Sequence, residues 1–282
     1  MKFGLYGINT GPCSEPDVAL SVAKAAEAAG FDSVWTAEHV VLPDPQAPPS
    51  PAPPHMKLLD PAVALAFLAA HTTKLLLATG IIILPQRNPV VLAKELASVD
   101  RLSKGRLVFG LGAGYLKPEF QALGAPFADR GKRTDEYIEA IVALWTQEKP
   151  EYKGEYVAFG GIQAQPRPVQ KPHPPIVIGG MSPSALRRAA RYGDGWYGFA
   201  LDLDATQRAV EGLRVAEQRF DRPSNLGRLE VTVTPAGTVD LDTVRRYQAL
   251  GVDRLVLLNP GRNAEDQLGF VEKAGRELVA TC

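Results

Sequence analysis

Strand-like and helix-like segments alternate along this chain from end to end, and that alternation constrains the fold more than any motif does. Apolar runs at 2–8, 33–38, 74–84, 106–112, 174–180, 195–200, 229–234 and 253–259 are each followed by a helical pattern. Asp60, Asn88 and Ser182 each stand immediately before a proline, the order that opens a helix with a side-chain cap and a residue lacking an N–H. Ser14 reads as the start of the first helix, which runs to Ala29, and a longer polar helix is expected over about 133–146. Eight β-α units in 282 residues predict a single α/β domain over 1–282, a (β/α)8 TIM barrel. A doubly wound sheet would need a linker between halves, and none is visible.

Two segments break the rhythm. Residues 43–55 carry seven prolines and predict a stiff, irregular loop over the C-terminal face after the second strand. Residues 151–170 alternate in period two around glycine, the pattern of a hairpin inserted before the fifth strand.

Lysine plus arginine and aspartate plus glutamate both number 31, so the formal net charge is zero. That balance argues against nucleic acid or an anionic membrane surface as partner. No apolar run approaches the roughly 20 residues that span a bilayer. Met1-Lys2 leads directly into the first strand, and Cys13 and Cys282 read as free thiols, so a cytoplasmic protein is expected.

In a barrel of this kind, chemistry is expected at the C-terminal ends of the strands. Those ends offer Asn9 and Thr10; Glu38 and His39; Thr79, Gly80 and Ile81; Gly112, Ala113 and Gly114; Gly179 and Gly180; and Asn259. His39 is the one histidine among them, so no metal site is expected, and neither a Schiff-base lysine nor a serine–histidine–acid set appears. A site built from glycine backbone implies a cofactor that brings its own chemistry. A flat ring or a phosphate is expected against Gly112–Gly114. Gly179-Gly180, followed by Ser182 at a helix start, is the best phosphate cradle, although an ordinary capped turn explains the same residues. Glu38 and His39 are adjacent on a strand and so point apart. Tyr115 and Trp196 fill the mouth or pack on a ring, and Arg187, Arg188 and Arg191 read as a solvated helix face.

Segments 30–35, Glu38-His39, Arg87-Asn88-Pro89, 92–107, 112–116, 119–145, 167–180 and 190–198 resemble, in order and spacing, the bacterial luciferase-like monooxygenase family. The similarity is to its actinobacterial branch dependent on coenzyme F420, a deazaflavin, and it covers most of residues 1–200. It implies a cofactor ring at the C-terminal mouth and a non-prolyl cis peptide at Gly80-Ile81 behind the ring. It also implies His39 and Glu38 as catalytic residues, His39 moving a proton and Glu38 touching the ring. Cofactor binding is implied for Asn9, Thr79, Gly80, Ile81, Gly112, Ala113, Gly114, Gly179, Gly180 and Ser182. Ala113 stands where the luciferase α subunit has a phosphate-gripping arginine, which tilts the expectation from FMN toward F420. Tyr115 stands where the sugar-phosphate dehydrogenase branch has a catalytic glutamate, which puts that reaction in doubt.

Three functions follow. The first is an F420-dependent oxidoreductase moving a hydride to or from a small-molecule substrate. The alternatives are an FMN-dependent monooxygenase served by a separate reductase, and a cofactor-binding protein with little turnover. Family resemblance also implies a homodimer.

Overall fold

The computed structural model describes residues 1–220 and 222–282. Its strands are β1 (Lys2–Tyr6), β2 (Ser33–Trp35), β3 (Leu76–Ala78), β4 (Ile82–Ile83), β5 (Leu107–Gly112), β6 (Tyr152–Lys153), β7 (Ala158–Phe159), β8 (Ile176–Gly179), β9 (Gly195–Leu201), β10 (Glu230–Pro235) and β11 (Arg254–Leu258). Its helices are α1 (Pro16–Ala28), α2 (Pro61–Ala69), α3 (Pro89–Leu102), α4 (Lys117–Ala122), α5 (Arg130–Thr146), α6 (Pro183–Tyr192), α7 (Leu203–Arg219), α8 (Leu241–Ala249) and α9 (Ala264–Glu277).

Nine strands form one sheet in the order β3-β2-β1-β11-β10-β9-β8-β5-β4, and a β3–β5 pairing closes it. All of its pairings are parallel. Because β4 continues β3 after a break, the ring has eight staves, and the (β/α)8 barrel stands as expected.

The break in the third stave is a correction to the single strand over 74–84. Ala78 pairs with Val108, but the next ladder contact is Ile82 with Leu111. In the gap, Thr79 Oγ1 donates to Gly110 O (2.7 Å) and accepts from Gly110 N (2.8 Å). A hydroxyl thus satisfies backbone groups that the ladder leaves unpaired. Any side chain at Gly110 would overlap Thr79 O. The peptide between Gly80 and Ile81 is cis.

Asp60, Asn88 and Ser182 cap their helices through side-chain oxygens as their sequence context predicts. Ser14 does not: it ends a 3-10 turn and donates to Gly11 O, and α1 begins at Pro16. Proline two residues on supplies the fixed φ of a helix start, so the helix begins there.

The barrel interior is packed by Trp35, Ala78, Val108, Val177, Tyr197 and Val256. Gly4 makes room for Trp35, whose Nε1 would lie 2.8 Å from a Cβ there. At the N-terminal end the buried Arg254 donates to Asp32 Oδ2 (2.8 Å) and Thr232 Oγ1 (3.4 Å) and pairs with Glu230. Lys2 adds an ion pair to Glu230. This charged cluster lies at the floor.

Two insertions decorate the frame. The proline-rich loop is irregular, and its far end returns to the rim of β1, where Gly11 N donates to Lys57 O and Leu59 N to Asn9 O. The expected hairpin is β6–β7, pairing Tyr152 with Phe159, with its turn held by Glu136 of α5 through the amides of Glu155, Tyr156 and Val157. Among the described residues no helix is long and apolar enough to cross a membrane.

Candidate active site

Two strands, β5 and β8, arrive at the C-terminal mouth as glycine, and one side chain fills the space they leave. A Cβ at Gly112 or at Gly179 would collide with Ile81 Cδ1, and one at Gly110 would lie 3.3 Å from Ile81 Cγ2. From sequence, Gly112 is expected against a flat ring or a phosphate and Gly179 in a phosphate cradle. Their missing side chains accommodate Ile81, which packs against the interior cluster and is only partly covered. Gly80 backs onto Thr36 O, where a Cβ would lie 2.8 Å away. Gly114 turns with φ +75° against Ile83 and Phe120, and Arg130 Nε donates to its carbonyl (3.1 Å). Ala113 is half-buried beside it.

Asn9 and Thr79 also serve the frame. Buried Asn9 donates to Ala37 O (2.9 Å) and Leu59 O (2.6 Å) and accepts from Ala37 N (2.8 Å), so its amide is spent joining two loops. Thr79 is spent on Gly110. Asn259 likewise donates to Gln267 O (3.0 Å) and accepts from Gly261 N (3.0 Å).

Glu38 and His39 diverge, but not on a strand as expected: β2 ends at Trp35, and both residues lie in the irregular segment after it. Glu38 turns into the frame. Its Oε1 accepts from Arg87 Nε (2.9 Å) and Nη2, and its Oε2 accepts from Ile83 N. Arg87 also reaches the capping residue Asp60 (2.7 Å). Burial pushes the Glu38 carboxyl above its ordinary value against the pull of Arg87. This geometry makes Glu38 a staple between strand end and helix start rather than a group facing the mouth.

His39 turns the other way, onto a partner that sequence reading missed. Its Nδ1 lies 3.1 Å from Oε2 of Glu119, a residue 1% exposed on α4, and Glu119 Oε1 accepts from Val40 N (2.6 Å). With the carboxylate accepting, Nδ1 carries the ring proton and Nε2 is left for the mouth. Tyr115 stands edge-on to the imidazole, ring centroids 6.2 Å apart, and is 48% exposed. A signal for Glu119 was present: Leu116, Glu119 and Phe120 share one buried helix face, and an acid in such a stripe requires a partner.

The turn after β8 is open. Gly180 is exposed with φ +111°, and the described hydrogen bonds leave the amides of Met181, Ser182 and Ser184 unused. Ser182 Oγ accepts from Ala185 N (3.2 Å), and the first turn of α6 holds no acid. Trp196 is fully buried, with Nε1 donating to Gly180 O (2.8 Å), so it braces this turn from behind. Of the three arginines expected on a solvated face of α6, Arg191 is exposed, but Arg188, 3% exposed, and Arg187 clamp Asp135 of α5 at 2.6 and 2.5 Å. Two surface hollows, of about 550 and 490 Å³, lie elsewhere, and neither is lined by His39, Ile81 or Gly180.

Comparison with known proteins agrees with this geometry. Residues 5–251 match the family model described as luciferase-like monooxygenase. An uncharacterized protein of Mycobacterium tuberculosis is 33% identical, the match covering 92% of this chain and 93% of that one. The F420-dependent hydroxymycolic acid dehydrogenase of the same species is 31% identical, over 75% of this chain and 57% of that one. The FMNH2-dependent dimethylsulfone monooxygenase of Pseudomonas putida is 32% identical, over 52% of this chain and 41% of that one. Among solved structures, an F420-dependent secondary alcohol dehydrogenase superposes with a TM-score of 0.80 at 17% identity, covering 100% and 99% of the two chains. With a family model spanning most of its length and a closed barrel of the same kind, the chain belongs to the luciferase-like monooxygenase family.

Proposed function

We propose that this chain is an F420-dependent oxidoreductase that moves a hydride between the deazaflavin and a small organic substrate. The observation that carries it is the imidazole of His39, held just beyond the end of β2 on the buried carboxylate of Glu119.

The residues present fit the cofactor. The open turn at Gly180, Met181, Ser182 and Ser184 would take a phosphate on backbone amides and the helix N-terminus. Ile81 and the Gly80-Ile81 peptide would support the ring, and no arginine stands at Ala113 to grip a second anion. When bound, the deazaflavin supplies a carbon centre that gives or takes hydride and reacts poorly with oxygen. His39 Nε2 would move the accompanying proton at the substrate oxygen, and Glu119 would hold the tautomer through Nδ1.

One finding favours a second reading, an FMN-dependent monooxygenase with a separate reductase: the FMNH2-dependent relative matches 52% of this chain at 32% identity. Fluorescence titration with F420 and with FMN, each oxidised and reduced, separates the two. Tight binding of F420 supports the first, and preference for reduced FMN with substrate-coupled oxygen uptake overturns it.

We further propose a homodimer. Helix α2 is apolar around its whole circumference, leaving Val63 67% and Phe67 37% exposed, and Val91 of the neighbouring α3 is 55% exposed. Light scattering on the purified protein tests this, and a monomer at micromolar concentration refutes it.

A further inference from the structure

Two tyrosines stand inside the barrel, and their hydroxyls are treated differently. Tyr197 is enclosed and shares a 2.7 Å hydrogen bond with Thr234 Oγ1. Tyr6 ends β1 in register with Trp35 and packs on the interior cluster, with its ring 4.8 Å from that of Phe199. No described residue hydrogen-bonds to the Tyr6 hydroxyl, although the ring is largely covered. The oxygen itself is not among the buried unpaired side-chain atoms of the described residues, so it lacks a protein partner where an arriving group can still reach it.

Its surroundings are those of the candidate site. Tyr115 lies near enough to oppose ionisation of Tyr6, and Tyr115 also stands against His39. Ile81 and Phe199 supply apolar walls. Burial, the larger cause, and the neighbouring phenol both raise the Tyr6 pKa well above the ordinary phenol value, which leaves the group a hydrogen-bond donor at working pH.

We infer that the Tyr6 hydroxyl donates a hydrogen bond to the oxygen of the substrate, so that the mouth selects a carbonyl or alcohol function. The inference deepens the proposed function and rests on it. Tyr6 fixes where the oxygen lies, and His39 exchanges the proton there. A site built to hydrogen-bond an oxygen also rejects analogues that lack one, because the donor is then left buried and unpaired.

The test uses 4-(dimethylamino)cinnamaldehyde, whose absorption moves to longer wavelength when its carbonyl oxygen accepts a hydrogen bond. It is titrated into protein saturated with the oxidised form of whichever cofactor binds, a complex with no hydride to give. The wild type is expected to bind the aldehyde with a red shift. Tyr6→Phe is expected to bind it roughly 2- to 10-fold more weakly, the worth of one neutral hydrogen bond, and without the shift. Its melting temperature should be unchanged, since only an oxygen without a protein partner is removed. Tyr115→Phe should keep the shift. A full red shift in Tyr6→Phe, or a wild type that binds the aldehyde unshifted or not at all, overturns the assignment. If neither cofactor binds, the proposed function fails separately, and the aldehyde titrated into cofactor-free protein still decides the role of Tyr6.

Discussion

Gly179→Ala adds one methyl group at the point where Ile81 already stands. The new Cβ would collide with Ile81 Cδ1 and lie 3.2 Å from Cγ2 and 3.3 Å from Cγ1. Gly179 has no positive φ, so the backbone itself accepts alanine, a change worth about 0.4–1 kcal/mol in its favour through the unfolded chain. Overpacking a fitted core costs about 1–3 kcal/mol, so the net expectation is a loss of roughly 1–2 kcal/mol. For a chain of this size that lowers the melting temperature by about 2–4 °C. Ile81→Ala empties the contested space, so adding Gly179→Ala to it should cost nothing further. The pair should show a coupling of about 1 kcal/mol or more, measured by urea denaturation of the four proteins in a double-mutant cycle. If the two substitutions add to within about 0.5 kcal/mol, Ile81 does not occupy the space the glycine leaves, and the account of the mouth is wrong.

Four further outcomes are expected. Arg87→Met strands the buried Glu38 carboxylate and should destabilise by about 3–5 kcal/mol, while Glu38→Gln with Arg87→Met recovers much of that in thermal melts. His39→Ala should lower turnover by about 10²–10⁴-fold with cofactor affinity little changed, and Glu119→Gln should lower it less; steady-state kinetics on the first substrate found decides both. Gly180→Val forces a branched residue to φ +111° across the open turn and should weaken cofactor binding by at least about tenfold in the fluorescence titration. Burial pushes the Cys13 thiol up to about 11, whereas Cys282 is exposed, so a disulfide reagent at pH 8 should label one thiol per folded chain rapidly and the second only on unfolding.

The barrel could be read from sequence because its signals are local. Apolar period and cap-proline pairs at Asp60, Asn88 and Ser182 each depend on a few adjacent residues. The interruption of the third stave could not, since 75–84 reads as one apolar run interrupted only by Thr79-Gly80, and the break is made by Thr79 reaching Gly110 in another strand. The same division runs through the site. Glycine at 112 and 179 announced close approach, but its occupant, Ile81, is set by tertiary packing. Arg187 and Arg188 looked solvated because their partner Asp135 lies more than 50 residues away on α5. Glu119 sat inside a matching segment and went unnamed because its role depends on His39, 80 residues earlier.

The floor of the barrel has a kinetic meaning. Arg254, Asp32, Glu230 and Lys2 pair at the end opposite the mouth, so on the proposed reading cofactor and substrate would share the mouth as their doorway. On the proposed reading the cofactor ring would rest deepest, on Ile81, and the substrate would enter after it, beneath the proline-rich loop. Such stacking makes turnover last-in, first-out. Spent cofactor would then depart only once the position above it is vacant, so crowding substrate into the doorway at high concentration should slow cofactor exchange rather than hasten it.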